Sequence, residues 1–156
     1  MKLTLIALTH KQPGWVQTGI DDYAKRLPRE WHFAQKELKP ETAGSPTSRL
    51  QKEAGRISEA LDKLGGQPRL IALDERGQDL STQALADKLR RWQAEAADPV
   101  FLIGSADGLA PEIKAQAAER IRLSSLTLPH GIARLLLVEQ LYRAATLLAG
   151  HPYHRS

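Results

Sequence analysis

Short apolar runs alternate with segments of helical spacing along almost the whole chain, and this alternation limits the fold more than any other feature. Residues 2–9 form a compact run rich in Leu and Ile. Residues 31–38, 69–73 and 99–103 repeat the pattern, the first of these more weakly. Between the first two runs, Trp15, Ile20, Tyr23, Ala24 and Leu27 recur at roughly helical spacing, and Pro13 suits a first helical turn. Leu50, Ala54, Ile57, Leu61 and Leu64 mark a second helix that stops at Gly65-Gly66. Ser81 fits as the N-cap of a third, which presents Leu85, Leu89 and Trp92. Pro111 opens a fourth through about Glu119, and residues 131–148 form a long apolar fifth ended by Gly150. Residues 40–46, 74–80 and 104–108 read as loops, and 121–128 as a short strand plus a loop. Strands separated by helices predict an α/β fold with a mainly parallel sheet. No linker divides residues 1–156, so one domain is expected. Ligands of such sheets bind beyond the carboxyl ends of the strands, which singles out the loops after Leu73, Ile103 and Leu123.

Composition narrows the function classes. No apolar run approaches the ~20 residues of a membrane span, and the apolar start is too short for a secretory signal. The chain has no cysteine. That excludes disulfides, thiolate zinc sites and cysteine nucleophiles, and it suits a reducing cytoplasm. A net charge of +4 favours contact with a polyanion without requiring it. The basic residues are spread out, with only short pairs such as Lys25-Arg26 and Arg90-Arg91.

Four features are candidates for chemistry. Gly104-Ser-Ala-Asp-Gly108 follows a strand, and its glycines suit either a plain tight turn or a close approach to a ligand. It has neither the third glycine of a dinucleotide fingerprint nor the Lys-Ser/Thr of a P-loop. Leu123-Ser-Ser-Leu-Thr-Leu128 is either a half-buried strand or a loop whose hydroxyls and peptide groups can hold a ligand. Glu139 and Arg143 are four apart and share a helical face among Leu and Val, so a partly buried ion pair is expected. The tail His151-Pro-Tyr-His-Arg155 puts an aromatic ring, two imidazoles and a guanidinium into a few residues. It reads as a solvated terminus or as a site. Tyr153 can stack on a base, Arg155 can bind phosphate or carbonyl oxygen, and His154 can accept a proton near neutral pH. His151 and His154 lie three apart with no carboxylate or thiolate beside them, so no metal site is expected.

Taken together, Phe101-Leu-Ile-Gly-Ser-Ala-Asp-Gly-Leu109, Leu123-Ser-Ser-Leu-Thr-Leu-Pro-His130, Leu137-Val-Glu-Gln-Leu-Tyr-Arg-Ala144 and the tail resemble one family. It is the pseudouridine N3-methyltransferases of the ribosomal large subunit, a minimal branch of the SPOUT superfamily. The resemblance covers essentially the whole chain. It implies a single-domain α/β knot, a parallel-rich sheet flanked by helices whose C-terminal part is threaded as a deep trefoil knot. It implies S-adenosylmethionine as cofactor, held by Leu73, Gly104, Leu123, Ser124, Ser125, Leu126, Thr127 and Leu128. It implies a homodimer acting on a pseudouridine of 23S rRNA in the assembled 70S ribosome, with no metal and no membrane. His130 and Glu139 would face the RNA, and Arg143, Tyr153, His154 and Arg155 would carry the chemistry.

Two positions depart from the family pattern. The family's glycine pair after the strand is here Gly104-Ser105, which is strained if Ser105 must take positive φ. The loop after the second strand, often rich in Lys and Arg, is here Lys39-Pro-Glu-Thr-Ala-Gly-Ser-Pro46 and nearly uncharged. With +4 charge and no basic arm, one protomer has little with which to grip RNA, and an active site built from two chains is expected. A ribosome-binding assembly factor of the same fold, without catalysis, is the alternative.

Overall fold

The computed structural model describes residues 1–155, except for the side chains of His154 and Arg155. The chain runs β1 (Thr4–Leu8), α1 (Gly14–Ala24), β2 (Ala34–Leu38), α2 (Pro46–Asp62), β3 (Pro68–Asp79), α3 (Thr82–Ala94), β4 (Asp98–Ile103), α4 (Pro111–Gln116), β5 (Glu119–Arg122) and α5 (His130–Ala149). Short 3-10 turns at Arg29–Trp31 and Pro152–Arg155 complete it. The five strands form one sheet in the order β2-β1-β4-β3-β5, and every pairing is parallel.

The layers follow from side-chain alternation. Leu5 and Ala7 of β1, Ile71 of β3 and Phe101 and Ile103 of β4 face one side, where α1, α3 and α5 cover them. Ile6, Leu8, Leu70, Ala72, Val100 and Leu102 face the other side, under α2 and α4. A sheet buried on both faces needs near-continuous apolar strands, and the central β1 and β4 meet that need with Leu5–Leu8 and Pro99–Ile103, each following one polar residue. Ser45 and Ser81 cap α2 and α3, accepting the backbone N–H of Ser48 and Ala84, each at 3.1 Å.

The structure corrects the sequence reading at several boundaries. Trp15 does not join the core; it is 64 % exposed, while Val16 and Ile20 carry the buried stripe of α1. Trp31 is buried in the 3-10 turn rather than in a strand, and His32 turns the chain at φ 46° before β2. α4 ends at Gln116 because Ala117 is extended, and the Ala118 N–H then bonds the Leu70 carbonyl at 2.9 Å.

The largest correction concerns residues 74–80, read as a loop. β3 continues through them to Asp79. Leu73 and Gln78 both pair with Ile121, so the four residues between them leave the ladder and return to it. Gly77 permits this crossing, since a Cβ there would lie 2.6 Å from the Ile121 carbonyl carbon. Arg122 clamps the crossing with two bonds to Asp79, at 2.7 and 2.9 Å.

Candidate active site

The carboxyl ends of β3, β4 and β5 open on a cleft of about 570 Å³, within the usual size of small-molecule sites. Three segments distant in sequence line it: residues 73–76, 103–109 and 121–128. All eight candidate cofactor residues are among them: Leu73, Gly104, Leu123, Ser124, Ser125, Leu126, Thr127 and Leu128. His130 lines the same cleft from the first turn of α5. Asp74, Asp107 and Lys114 also border it, and the sequence reading missed them. The available signal for Asp74 was its place directly after an apolar run.

The floor of the cleft is built to let backbone come close. Residues 105–108 make a tight turn closed by the Gly108 N–H on the Ser105 carbonyl at 2.8 Å, with Gly108 at φ 82°. Gly104 packs directly against Gly108, and a Cβ on it would lie 2.6 Å from the Gly108 carbonyl carbon. Positive φ falls on Gly108 and not on Ser105, so the serine in the family's glycine position carries no backbone strain. From outside, the Ser105 hydroxyl donates to Glu53 at 2.7 Å, and Arg49 pairs with Asp107 at 2.8 and 3.1 Å. The Arg49 guanidinium holds the Asp107 carboxyl below the usual aspartate range.

Residues 123–128 are a loop, which decides between the two readings left open. Residues 124–128 make no backbone–backbone hydrogen bond among the described residues. The Leu126 N–H turns instead onto the Ser124 hydroxyl at 2.9 Å, and the Leu126 side chain is 73 % exposed. The other peptide groups of residues 124–128 have no protein partner among the described residues, and with 125–127 exposed they are open to a ligand. Asp74 accepts the Arg76 N–H at 3.1 Å and lies 3.6 Å from the Lys114 ammonium. The buried Nδ1 of His130 has no hydrogen-bond partner among the described residues.

The remaining candidates form a second cluster. Glu139 and Arg143 make the expected ion pair, at 2.8 and 3.0 Å, with side chains 16 % and 21 % exposed. Hydrogen bonding to Glu139 raises the Arg143 pKa above the usual arginine value. The Tyr153 hydroxyl lies 3.1 Å from Glu139 and 3.4 Å from the Tyr23 hydroxyl. Its ring packs edge-on against Tyr142 at 4.7 Å, under the Arg143 guanidinium. Burial, with the Tyr23 and Glu139 contacts adding to it, pushes the Tyr153 phenol well above the usual tyrosine range. Arg26 stacks over Tyr23 and Tyr142 on the outer side. Tyr142 and Arg26 were not among the sequence candidates. The side chains of His154 and Arg155, also candidates, lie outside the described residues.

Within one chain the two clusters are apart. Glu139 and Arg143 are nine and thirteen positions beyond His130 along α5, or about 13 and 20 Å at 1.5 Å per residue. The fold gathers the cofactor candidates at one place and, of the catalytic candidates, Arg143 and Tyr153 at another.

The family described as Predicted SPOUT methyltransferase matches residues 1–154. Three relatives carry the name Ribosomal RNA large subunit methyltransferase H. The protein of Cupriavidus taiwanensis is 52 % identical over 159 residues, covering 100 % of both chains. Those of Ralstonia pickettii and Dechloromonas aromatica are 53 % and 52 % identical, covering 99 % of both chains in each case. Among solved structures, a probable methylase family protein from Haemophilus influenzae superposes with a TM-score of 0.61 at 13 % identity, over 97 % of this chain and 69 % of that one. The SpoU methyltransferase AviRb of Streptomyces viridochromogenes superposes at 0.51 with 14 % identity, over 96 % of this chain and 61 % of that one. At such identities these two likenesses concern the fold alone.

Proposed function

This chain belongs to the SPOUT methyltransferase family, in the branch of the ribosomal RNA large subunit methyltransferase H proteins, and from that premise we propose that it methylates N3 of a pseudouridine in 23S rRNA of the assembled 70S ribosome. The observation that carries the reading is the convergence of three distant segments on one cleft lined by unpaired peptide groups. The cleft fits S-adenosylmethionine. Its volume suits a molecule of that size, Gly104 brings bare backbone to its surface, and residues 124–128 offer unengaged donors and acceptors. When bound there, the cofactor supplies an electrophilic methyl group on a sulfonium. Ribosomes place the activity in the cytoplasm.

The chain's own residues align the reactants and exclude water, the chief tasks in an in-line displacement. The attacked ring nitrogen bears a proton that must leave. A guanidinium beside the ring stabilises the negative charge that develops there, and Arg143, already fixed by Glu139, has the right charge and rigidity. Arg155 shares that role and His154 accepts the proton; these two assignments rest on the family resemblance. Tyr153 offers a face to the base, and His130 meets the RNA at the mouth of the cleft.

Separation of the two clusters supports a homodimer. If a second copy delivers its Glu139–Arg143–Tyr153 cluster to this cleft, the site is complete without any rearrangement inside one chain. The double pairing of Ile121 with Leu73 and Gln78, with Gly77 pressed against the Ile121 backbone, supports a trefoil knot, because β3 must pass β5 closely between those two pairings.

Purified protein incubated with labelled cofactor and either intact ribosomes or naked RNA tests the reading. Label is expected on pseudouridine of 23S rRNA in ribosomes. Labelling that persists on ribosomes lacking pseudouridine would refute the N3 assignment. Failure to bind the cofactor in calorimetry would favour a non-catalytic assembly factor.

A further inference from the structure

Glu53 is a buried carboxylate that the chemistry above does not use. It lies in the middle of α2 with 2 % of its surface exposed. Burial of such a group is costly unless its oxygens find donors, and both do. Oε1 accepts the Ser105 hydroxyl at 2.7 Å, and Oε2 accepts the Glu41 backbone N–H at 2.8 Å. Arg49, one helical turn earlier, holds Asp107 through two bonds and donates to the Gly44 carbonyl at 2.6 Å. Positions 49 and 53 therefore grip both ends of the 105–107 turn from behind, while its front lines the cleft. Glycine at 104 and 108 leaves only residues 105–107 with side chains to hold the turn. Ser105 supplies the handle that a glycine in its place could not.

We propose that Glu53 is a positioning residue for methyl transfer: through Ser105, its buried carboxylate holds the 104–108 turn in the shape that the cofactor requires. The proposal rests on reading the cleft as the S-adenosylmethionine site. It separates Glu53 from a merely structural role, because the bond to Glu41 secures the 39–46 loop whether or not Ser105 is held.

Ser105→Ala removes the pocket arm and leaves the Glu41 arm. Titration calorimetry with S-adenosylmethionine should show roughly tenfold weaker binding, as expected for losing a hydrogen bond to a charged group. The KM for cofactor should rise in proportion while the KM for ribosomes stays level. Ser105→Thr, which keeps a hydroxyl, should restore both. Glu53→Gln keeps one acceptor and should fall between; in that background Ser105→Ala should cost less than it does alone, because the two residues act as one unit. The serine variants decide the question even if Glu53→Gln folds poorly. Wild-type cofactor affinity in Ser105→Ala overturns the proposal and leaves the reading of the cleft intact. So does an equal loss of cofactor and ribosome affinity that tracks a lower melting temperature. A wild-type protein that binds no cofactor overturns the reading of the cleft and this proposal with it.

Discussion

A side chain on Gly104 would meet the Gly108 carbonyl group, which is backbone and cannot rotate aside, and Leu109 Cδ2 at 2.9 Å. Gly104→Ala must therefore open the turn that floors the cleft. We predict about 1–3 kcal/mol of lost stability, the usual cost of overpacking, and at least tenfold weaker cofactor binding, read by thermal melting and calorimetry. Unchanged binding would mean that the turn does not touch the cofactor. Asp98 offers a different residue-scale test, far from the cleft. Its carboxylate accepts the Gln67 N–H at 3.0 Å and the Lys2 N–H at 2.8 Å, and these bonds hold its pKa below the ordinary value of 3.8. Because the folded value is lowered, the stabilisation is complete above that ordinary value and is lost as pH falls through the folded one. Asp98→Asn should be less stable at neutral pH and lose stability less steeply in acid, as followed by denaturant melts across pH. Individual residues were unevenly legible. The Glu139–Arg143 pair shows in the sequence because four-residue spacing on a helix implies contact. Glu53 does not, since its partners Ser105 and Glu41 belong to other elements. Arg134 is equally silent: it is 1 % exposed, reaching Glu37 at 3.0 Å, while its Nε and Nη1 have no partner among the described residues.

Elements carry the second level of organisation. Capping residues and apolar spacing marked α2, α3 and α5 closely, because those signals are local. Strand length was not local. Residues 74–79 have the polar, glycine-containing composition of a loop, and only β5 lying alongside makes them part of β3. The tail behaves likewise. Tyr153 is fastened to α5 and α1 through Glu139, Tyr142 and Tyr23, so the tail is held at this residue. Deleting residues 153–156 should lower methylation at least about a hundredfold, the order of loss for misplaced reacting groups, while cofactor affinity stays near wild type. The tail anchors on Glu139, Tyr142 and Arg143, about 9–15 Å along α5 beyond the last cleft residue, Ala133, which is why the two effects should separate. Normal methylation by the truncated protein would reduce the tail to a terminus.

At the scale of the molecule, the cleft and the Glu139–Arg143–Tyr153 cluster, proposed above as the two parts of a methyl-transfer site, stay apart within one chain. Two exposed apolar side chains, Trp15 and Leu126, lie on α1 and on the cleft loop, and an assembly that covers them would bury apolar surface as well as complete the site. Gel filtration with light scattering should therefore report twice the mass of one chain at working concentrations. Mixing Arg143→Ala protein with Gly104→Ala protein should partly rescue activity, since a heterodimer then contains one intact composite site. A fully active monomer, or mixtures without rescue, would sink the two-chain site.

Local signals in the sequence settled the α/β class, the Ser81 cap, the Glu139–Arg143 pair and the family, because each depends on neighbours in the chain or on motifs read in order. The sequence also named every cofactor candidate that lines the cleft, through the resemblance rather than through periodicity. Tertiary structure alone decided that residues 123–128 are a loop with unengaged peptides, that Gly77 lets β3 cross β5, and that Glu53 stands behind Ser105. It alone also set the distance between Arg143 and the cleft. These facts depend on contacts between segments tens of residues apart, and no local spacing encodes which backbone will lie 2.6 Å from a glycine or which hydroxyl will meet a buried carboxylate.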